Sequence, residues 1–222
     1  MCGRFSLGVD TDRLVAEFGI ASVAEPHEPR YNIAPTQPVP AVVRSDGGLR
    51  LGALRWGLVP YWADDPGIGA RMINARSETV ATKPAFRDPF RERRCWVLAD
   101  GFYEWEERDG QKVPIHFRLP DSRPFAFAGL WDRWGDGDAE IVSCTVLTTE
   151  PSDAVRPVHD RMPVILPEEE RAQWLDPAAD PDALQTLLRP YPGPLEGRRV
   201  STRVNRPEND DPSLIEPVGS DT

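Results

Sequence analysis

Short apolar-rich stretches between proline- and glycine-bearing loops run along most of this chain, and they suit strands more than helices. Residues 39–43 (VPAVV) and 49–56 (LRLGALRW) predict two strands around a turn at Ser45-Asp46-Gly47-Gly48. Residues 95–99 (CWVLA) form an apolar run, as a buried strand would. Residues 102–105, 115–118, 125–130 and 141–147 also suit strands. Helical spacing is rarer. Residues 10–18 (DTDRLVAEF) predict a first helix, with Asp10 or Thr11 as cap and Leu14, Val15 and Phe18 on one face. Residues 168–174 predict a second helix with acidic residues in its opening turn, and 181–188 a third. A short helix is expected to start at 78–81. Residues 23–38 read as a proline-rich loop and 57–69 as an irregular one. No repeat or low-complexity linker interrupts the chain. The expectation is one α+β domain over residues 1–222, with a barrel-like curved antiparallel sheet at its core and a few short helices.

At 222 residues the chain can build one substantial core. No apolar run is long enough for a membrane span, and no secretory signal is visible. Cys2, Cys95 and Cys144 are far apart, an odd number that suggests free thiols in a reducing cytoplasm. With only three histidines and no close ligand pairing, no metal is expected. The net charge of −10 opposes nucleic-acid binding at first sight. Its distribution matters more. Residues 111–222 hold 12 basic and 20 acidic side chains, whereas 1–110 nearly balance. Within 71–94, Arg71, Arg76, Lys83, Arg87, Arg91, Arg93 and Arg94 face only Glu78, Asp88 and Glu92. Such a strip either holds phosphates or is an ordinary solvated segment. Lysine is almost absent, with only Lys83 and Lys112, so Schiff-base chemistry through lysine has few candidates.

Cys2 directly follows Met1. Removal of Met1 by a methionine aminopeptidase would leave an α-amine and a thiol on adjacent carbons. That pair captures aldehydes: the amine forms a Schiff base and the thiol closes a thiazolidine ring. Closure is intramolecular, so most of its entropy cost is already met. An α-amine titrates near ~7.7 in model peptides, which leaves a usable neutral fraction. Taken alone, Cys2 equally suits a small apolar residue at the start of a first strand.

Six further segments accompany Met1-Cys2-Gly3-Arg4-Phe5. They are residues 31–36 (YNIAPT), 55–60 (RWGLVP), 74–79 (NARSET), 101–105 (GFYEW), 159–163 (HDRMP) and 204–207 (VNRP). In this order, from Cys2 to about Pro217, the set resembles the SRAP family, the SOS-response-associated peptidases or abasic site processing proteins. The resemblance implies a single SRAP domain followed by a short acidic tail. It also implies binding of single-stranded DNA and covalent trapping of abasic sites as a thiazolidine DNA–protein crosslink. The crosslink would shield the lesion during the DNA damage response. No cofactor is implied. We expect a monomer in the cytoplasm, associated with the nucleoid when bound to DNA.

The expected catalytic set is Cys2, Asn74, Glu104 and His159. Glu104 lies between Tyr103 and Trp105, where desolvation would raise its pKa and let it shuttle protons, although a strand-end glutamate would look the same. His159 would protonate the sugar O4′ or a leaving hydroxyl. His27 and His116 suit structural roles better. Asn74 would hold the N-terminus or the sugar through its amide, and otherwise reads as a loop residue.

For DNA, Arg4, Arg76 and Arg161 are the leading phosphate contacts, each equally able to join a structural ion pair. Trp56, Trp62 and Phe86 would stack on bases, with burial the competing role for Trp56. Pro35 would support the flipped-out sugar, and Thr148 and Thr149 would hydrogen-bond the backbone. Two other classes remain open. One is a cysteine-type (auto)peptidase using Cys2, His159 and Glu104, in which no free amine is required. The other is a non-catalytic single-strand binding module.

Overall fold

Two Asp-Gly pairs and one closed ring of strands set the architecture. The computed structural model describes residues 2–219. In chain order the strands are β1 (Phe5–Leu7), β2 (Ser22–Val23), β3 (Arg30–Ile33), β4 (Pro38–Ser45), β5 (Gly48–Trp56), β6 (Asn74–Arg76), β7 (Arg94–Ala99), β8 (Gly101–Arg108), β9 (Gln111–Arg118), β10 (Phe125–Trp134), β11 (Ile141–Thr149), β12 (Met162–Pro163), β13 (Ile165–Leu166) and β14 (Glu196–Arg199). The helices are α1 (Thr11–Phe18), α2 (Arg87–Glu92), α3 (Glu168–Leu175) and α4 (Pro181–Thr186).

Asp46-Gly47 turns β4 into β5, with Ser45 opposite Gly48. Asp109 and Gly110 turn β8 into β9, both at positive φ (52° and 74°), the backbone a two-residue hairpin needs. β11, β10, β7, β4 and β5 pair in succession, and β5 returns to pair in parallel with β11, closing the ring. A second sheet runs β14-β9-β8-β1-β3. Phe5 of β1 joins the two sheets. Its ring lies 5.1 Å from that of Trp56 and 5.8 Å from that of Phe127. The expected single α+β domain with a barrel-like core is therefore present. β7, at the centre of the ring, is buried at every position, as its apolar run predicts.

Local chemistry explains where the helices start and stop. Asp10 caps α1 by accepting from the Arg13 N–H at 3.0 Å, and Gly19 ends it in the left-handed region (φ 61°). Arg94 is buried in β7 yet satisfied. Its guanidinium donates to the carbonyls of Phe90 (2.7 Å), Trp174 (2.7 Å) and Asp176 (2.6 Å), at the C-terminal ends of α2 and α3. Arg93 pairs with the buried Asp132 at 3.2 Å. These two cations of the basic strip are thus structural, while Arg71, Arg76, Lys83, Arg87 and Arg91 are exposed.

Two expectations need correction. The proline-rich segment is not all loop, because β3 lies within it and β2 ends on its first residue. Arg30–Ile33 carries no proline and pairs with β1, a partner distant in sequence. The helix expected at 78–81 is a set of turns, and the helix of that region is α2. Pro89 sits in its first turn, where a missing N–H costs nothing.

The 31–36 motif has a structural task. Asn32, fully buried, accepts from Arg4 at 2.7 Å and donates to the carbonyls of Val204 (3.2 Å), Arg206 (3.0 Å) and Asn209 (2.7 Å). Asp210 accepts from the Asn32 N–H at 3.0 Å and pairs with Arg30. One side chain therefore clamps the 204–210 segment onto β3. Replacing Asn32 with Ala strands several buried polar groups and is expected to cost about 2–4 kcal/mol. Urea unfolding would measure that loss. Limited proteolysis should then cut near 203–210 under native conditions, whereas the parent chain resists.

Candidate active site

β11 brings the expected catalytic residues together. It pairs in parallel with β6, setting Asn74 opposite Val146, and antiparallel with β12 just past residues 159–161. The Asn74 amide Nδ2 donates to the Cys2 carbonyl at 2.7 Å. Asn74 Oδ1 is buried without a hydrogen-bond partner among the described residues. Cys2 has no exposed surface. Burial pushes its thiol well above the usual range, and the nearby Glu104 charge pushes it further.

Glu104 projects from β8 with a side chain only 3 % exposed. Burial raises its carboxyl to about 7, with Asp160 adding to the shift. His159 Nε2 lies 3.8 Å from Glu104 Oε2. Burial lowers the imidazole below its ordinary value. His159 Nδ1 accepts from the Arg161 N–H at 3.0 Å, and Asp160 Oδ1 is also 3.0 Å away. The amide favours a bare Nδ1 and the carboxylate a protonated one. The Asp160 carboxylate is 89 % exposed and solvent-screened, so the amide decides and the proton sits on Nε2, facing Glu104. The result is a carboxyl titrating at about 7 beside a neutral imidazole.

The site opens into a cleft of about 400 Å³ lined by Glu104, Trp105, Lys112, His159 and Asn205. Trp105 Nε1 donates to Asn205 Oδ1 at 2.8 Å, joining the 101–105 and 204–207 motifs. Sequence reasoning missed Lys112 and Asn205 as lining residues. Asn205 lay in a quoted motif, whereas the only signal for Lys112 was the rarity of lysine. Among the described residues, no group of three or more His, Cys, Asp or Glu is placed to hold a metal.

The expected DNA contacts separate into surface and interior. Arg76 on β6 is exposed, as are Trp62 (47 %) and its neighbour Tyr61 (59 %). Pro35 and Phe86 are half-buried, and Phe86 packs against the core. Three of the expected contacts lie in the interior. Trp56 is wholly inside and donates its indole N–H to the Ile73 carbonyl at 2.8 Å, so it cannot stack on a base. Thr148 and Thr149 are interior residues of β11 whose hydroxyls face the carbonyls of Ala75 and Leu188. β11 runs two residues past the expected 141–147, and Thr148 and Thr149 share its burial. Arg4 donates to Asn32 and to the Val204 carbonyl (2.6 Å). Arg161 forks onto Glu78 and also reaches the Thr148 carbonyl at 2.6 Å. Both arginines lock the framework around the site. His116, by contrast, is structural: it is buried, lies 2.9 Å from the Ser6 hydroxyl and is held neutral at a pKa of about 3.

The raised Glu104 carboxyl has a measurable consequence for stability. Its folded-state value exceeds the ordinary 4.5, so the folded state holds the proton more tightly. Stability from this group is full below about 4.5 and is lost as pH rises through about 7. Glu104→Gln should therefore stabilise the protein by about 2–4 kcal/mol at pH 8 and leave it nearly unchanged near pH 4. Urea midpoints at the two pH values check this, and an equal effect at both would contradict it.

Comparison with known proteins agrees with this arrangement. A family model described as SOS response associated peptidase (SRAP) matches residues 1–207. The abasic site processing protein YoqW of Bacillus subtilis (strain 168) is 45% identical over 222 residues, spanning 97% of this chain and 99% of its own. The abasic site processing protein HMCES of Xenopus tropicalis is 32% identical, spanning 86% of this chain and 67% of its own. A crystal structure of a protein from Bacteroides thetaiotaomicron superposes with a TM-score of 0.89 at 26% identity, covering 98% of this chain and all of that one. A cysteine anchored by Asn74 beside the Glu104–His159 pair, in a chain so matched, belongs to the SRAP family, whose curated relatives are named abasic site processing proteins.

Proposed function

We propose that this protein binds single-stranded DNA and captures abasic sites covalently through Cys2. The observation that carries this reading is the 2.7 Å contact from Asn74 to the Cys2 carbonyl, beside a Glu104 carboxyl that titrates at about 7 and faces His159. Asn74 fixes the backbone of the aminothiol, and its unused Oδ1 is an acceptor for the α-amine.

Removal of Met1 frees that amine. His159 relays the proton of the C1′ hydroxyl to O4′ as the sugar opens to its aldehyde. The Cys2 nitrogen then attacks C1′, and the aldehyde oxygen takes one of the two amine protons to become a hydroxyl. Glu104, titrating at about 7, accepts the proton from nitrogen and returns one to the departing hydroxyl, which leaves as water. The thiol adds to the resulting imine carbon, and its proton passes to nitrogen. One water is lost, nothing is oxidised or reduced, and the product is a thiazolidine.

Arg76 and the exposed Tyr61–Trp62 pair supply phosphate and stacking contacts, with Phe86 and Pro35 beside them. Arg4 and Arg161 act as positioning residues. The protein then works as a monomer at lesions in the cytoplasm, without a cofactor. The peptidase reading is weaker because it needs a Cys2 thiolate, and both burial and Glu104 oppose one.

Intact mass spectrometry with a single-stranded oligonucleotide carrying one abasic site tests the proposal. A heat-stable adduct is expected on protein lacking Met1, and none with Cys2→Ala or an acetylated α-amine. Glu104→Gln should slow adduct formation by about 10²-fold. Peptide cleavage by the N-acetylated protein, with no DNA adduct from the free one, would favour the peptidase instead.

A further inference from the structure

The cleft holds one cation that the chemistry above does not use. Lys112 is one of two lysines in the chain, stands at the start of β9 and is exposed. It makes no hydrogen bond or ion pair among the described residues. Glu107 sits opposite it on the β8–β9 ladder, yet the two do not come within ion-pair distance. Glu106, next along, is taken by Arg108 at 3.2 Å. Of the five lining residues, Lys112 alone is a fixed cation, because burial favours neutral His159.

Asn205 completes the picture. An indole N–H can only donate, so the Trp105 contact at 2.8 Å identifies the bound Asn205 atom as Oδ1. Its Nδ2, with two N–H donors, is left for a ligand. A cleft with an uncommitted ammonium and an oriented amide suits a phosphate oxygen. It also needs a counter-charge, since Glu104 and the exposed Asp160 repel an anion.

We infer that Lys112 and Asn205 form a subsite for the phosphodiester flanking the captured sugar. This rests on the reading of Cys2 as the aldehyde trap and deepens it. Catalysis at the aldehyde and recognition of the DNA chain are then separate. Glu104 and His159 act on any sugar aldehyde that reaches Cys2, and Lys112 with Asn205 selects one embedded in a strand. Lys112 donates from a point charge and Asn205 from a fixed amide, so the subsite reads the backbone and not the base.

The test compares adduct formation by the full-length protein with two probes. One is a single-stranded oligonucleotide with an internal abasic site, and the other is free 2-deoxyribose, which carries the aldehyde and no phosphate. Lys112→Ala should slow capture of the oligonucleotide severalfold at low salt. The slope of log rate against log salt should flatten by about 0.7, the loss of one single-strand phosphate contact. Its reaction with 2-deoxyribose should match the parent protein, and Lys112→Arg should restore the oligonucleotide rate. Asn205→Asp, which puts a negative charge at the subsite, should slow the oligonucleotide alone. An unchanged salt slope would overturn the inference, as would equal slowing of both probes. Borohydride trapping of the oligonucleotide on Lys112 would overturn it too, and assign the amine a chemical role. If the parent protein forms no adduct with either probe, the Cys2 reading itself has failed and the subsite falls with it. Capture of 2-deoxyribose by the parent separates that failure from the loss of the subsite alone.

Discussion

The structure depends on β11 more than on any other element. It pairs with β10 and β12 on antiparallel registers and with β5 and β6 on parallel ones. The β5 pairing closes the ring. The β6 pairing delivers Asn74 to Cys2, and the β12 pairing fixes the chain just after His159. A strand with that many partners has no solvent face, which is why it is buried from Ser143 to Thr149. Parallel pairing of elements this short carries little stability by itself. The site is therefore held by the closed ring as a whole, and its geometry is as rigid as the core.

Charge is used twice, and at different depths. In the interior, cations serve backbone carbonyls: Arg94 at the ends of α2 and α3, Arg4 at Val204, Arg161 at Thr148. A buried guanidinium with several acceptors is satisfied and directional. At the surface, Arg71, Arg76, Lys83, Arg87 and Arg91 remain exposed on a protein of net charge −10. The local sign then governs where a polyanion can approach, while the overall sign opposes non-specific retention. An acidic total is compatible with the proposed DNA-binding face because screening limits each charge to about 10 Å at ordinary salt.

Much of this was legible in the sequence, for identifiable reasons. Strands with their own hairpin turn, such as β4 with β5, carry both period and punctuation locally. The α1 cap at Asp10 and the stop at Gly19 are equally local. The expected catalytic quartet rested on resemblance, and the fold does place Asn74 at Cys2 and His159 at Glu104. What escaped was non-local. β3 hid among prolines because its partner lies far off in sequence. Burial at Trp56 follows from its strand-like run, whereas that of Thr148 and Thr149 depends on how far β11 extends and on what covers it, which no local signal shows. The 31–36 motif looked functional and proved to include a clamp on the 204–210 segment, through Asn32.

The state of the Cys2 thiol narrows what the site can do. For a thiolate at Cys2, burial and the Glu104 charge outweigh what favours it. Its nearest charged influence is the Glu104 carboxyl, which opposes ionisation. Chemistry that begins at the thiolate is thus uphill. Chemistry that begins at an amine is not, since an amine reacts in its neutral form and needs only a base for the proton it sheds. Glu104, at about 7, can be that base, and once protonated it no longer disfavours the thiolate. For the proposed aldehyde capture, electrostatics sets the order: amine first, proton to Glu104, thiol second. In that proposal the carboxyl that opposes the thiolate at rest stops opposing it once it holds the proton shed by the amine.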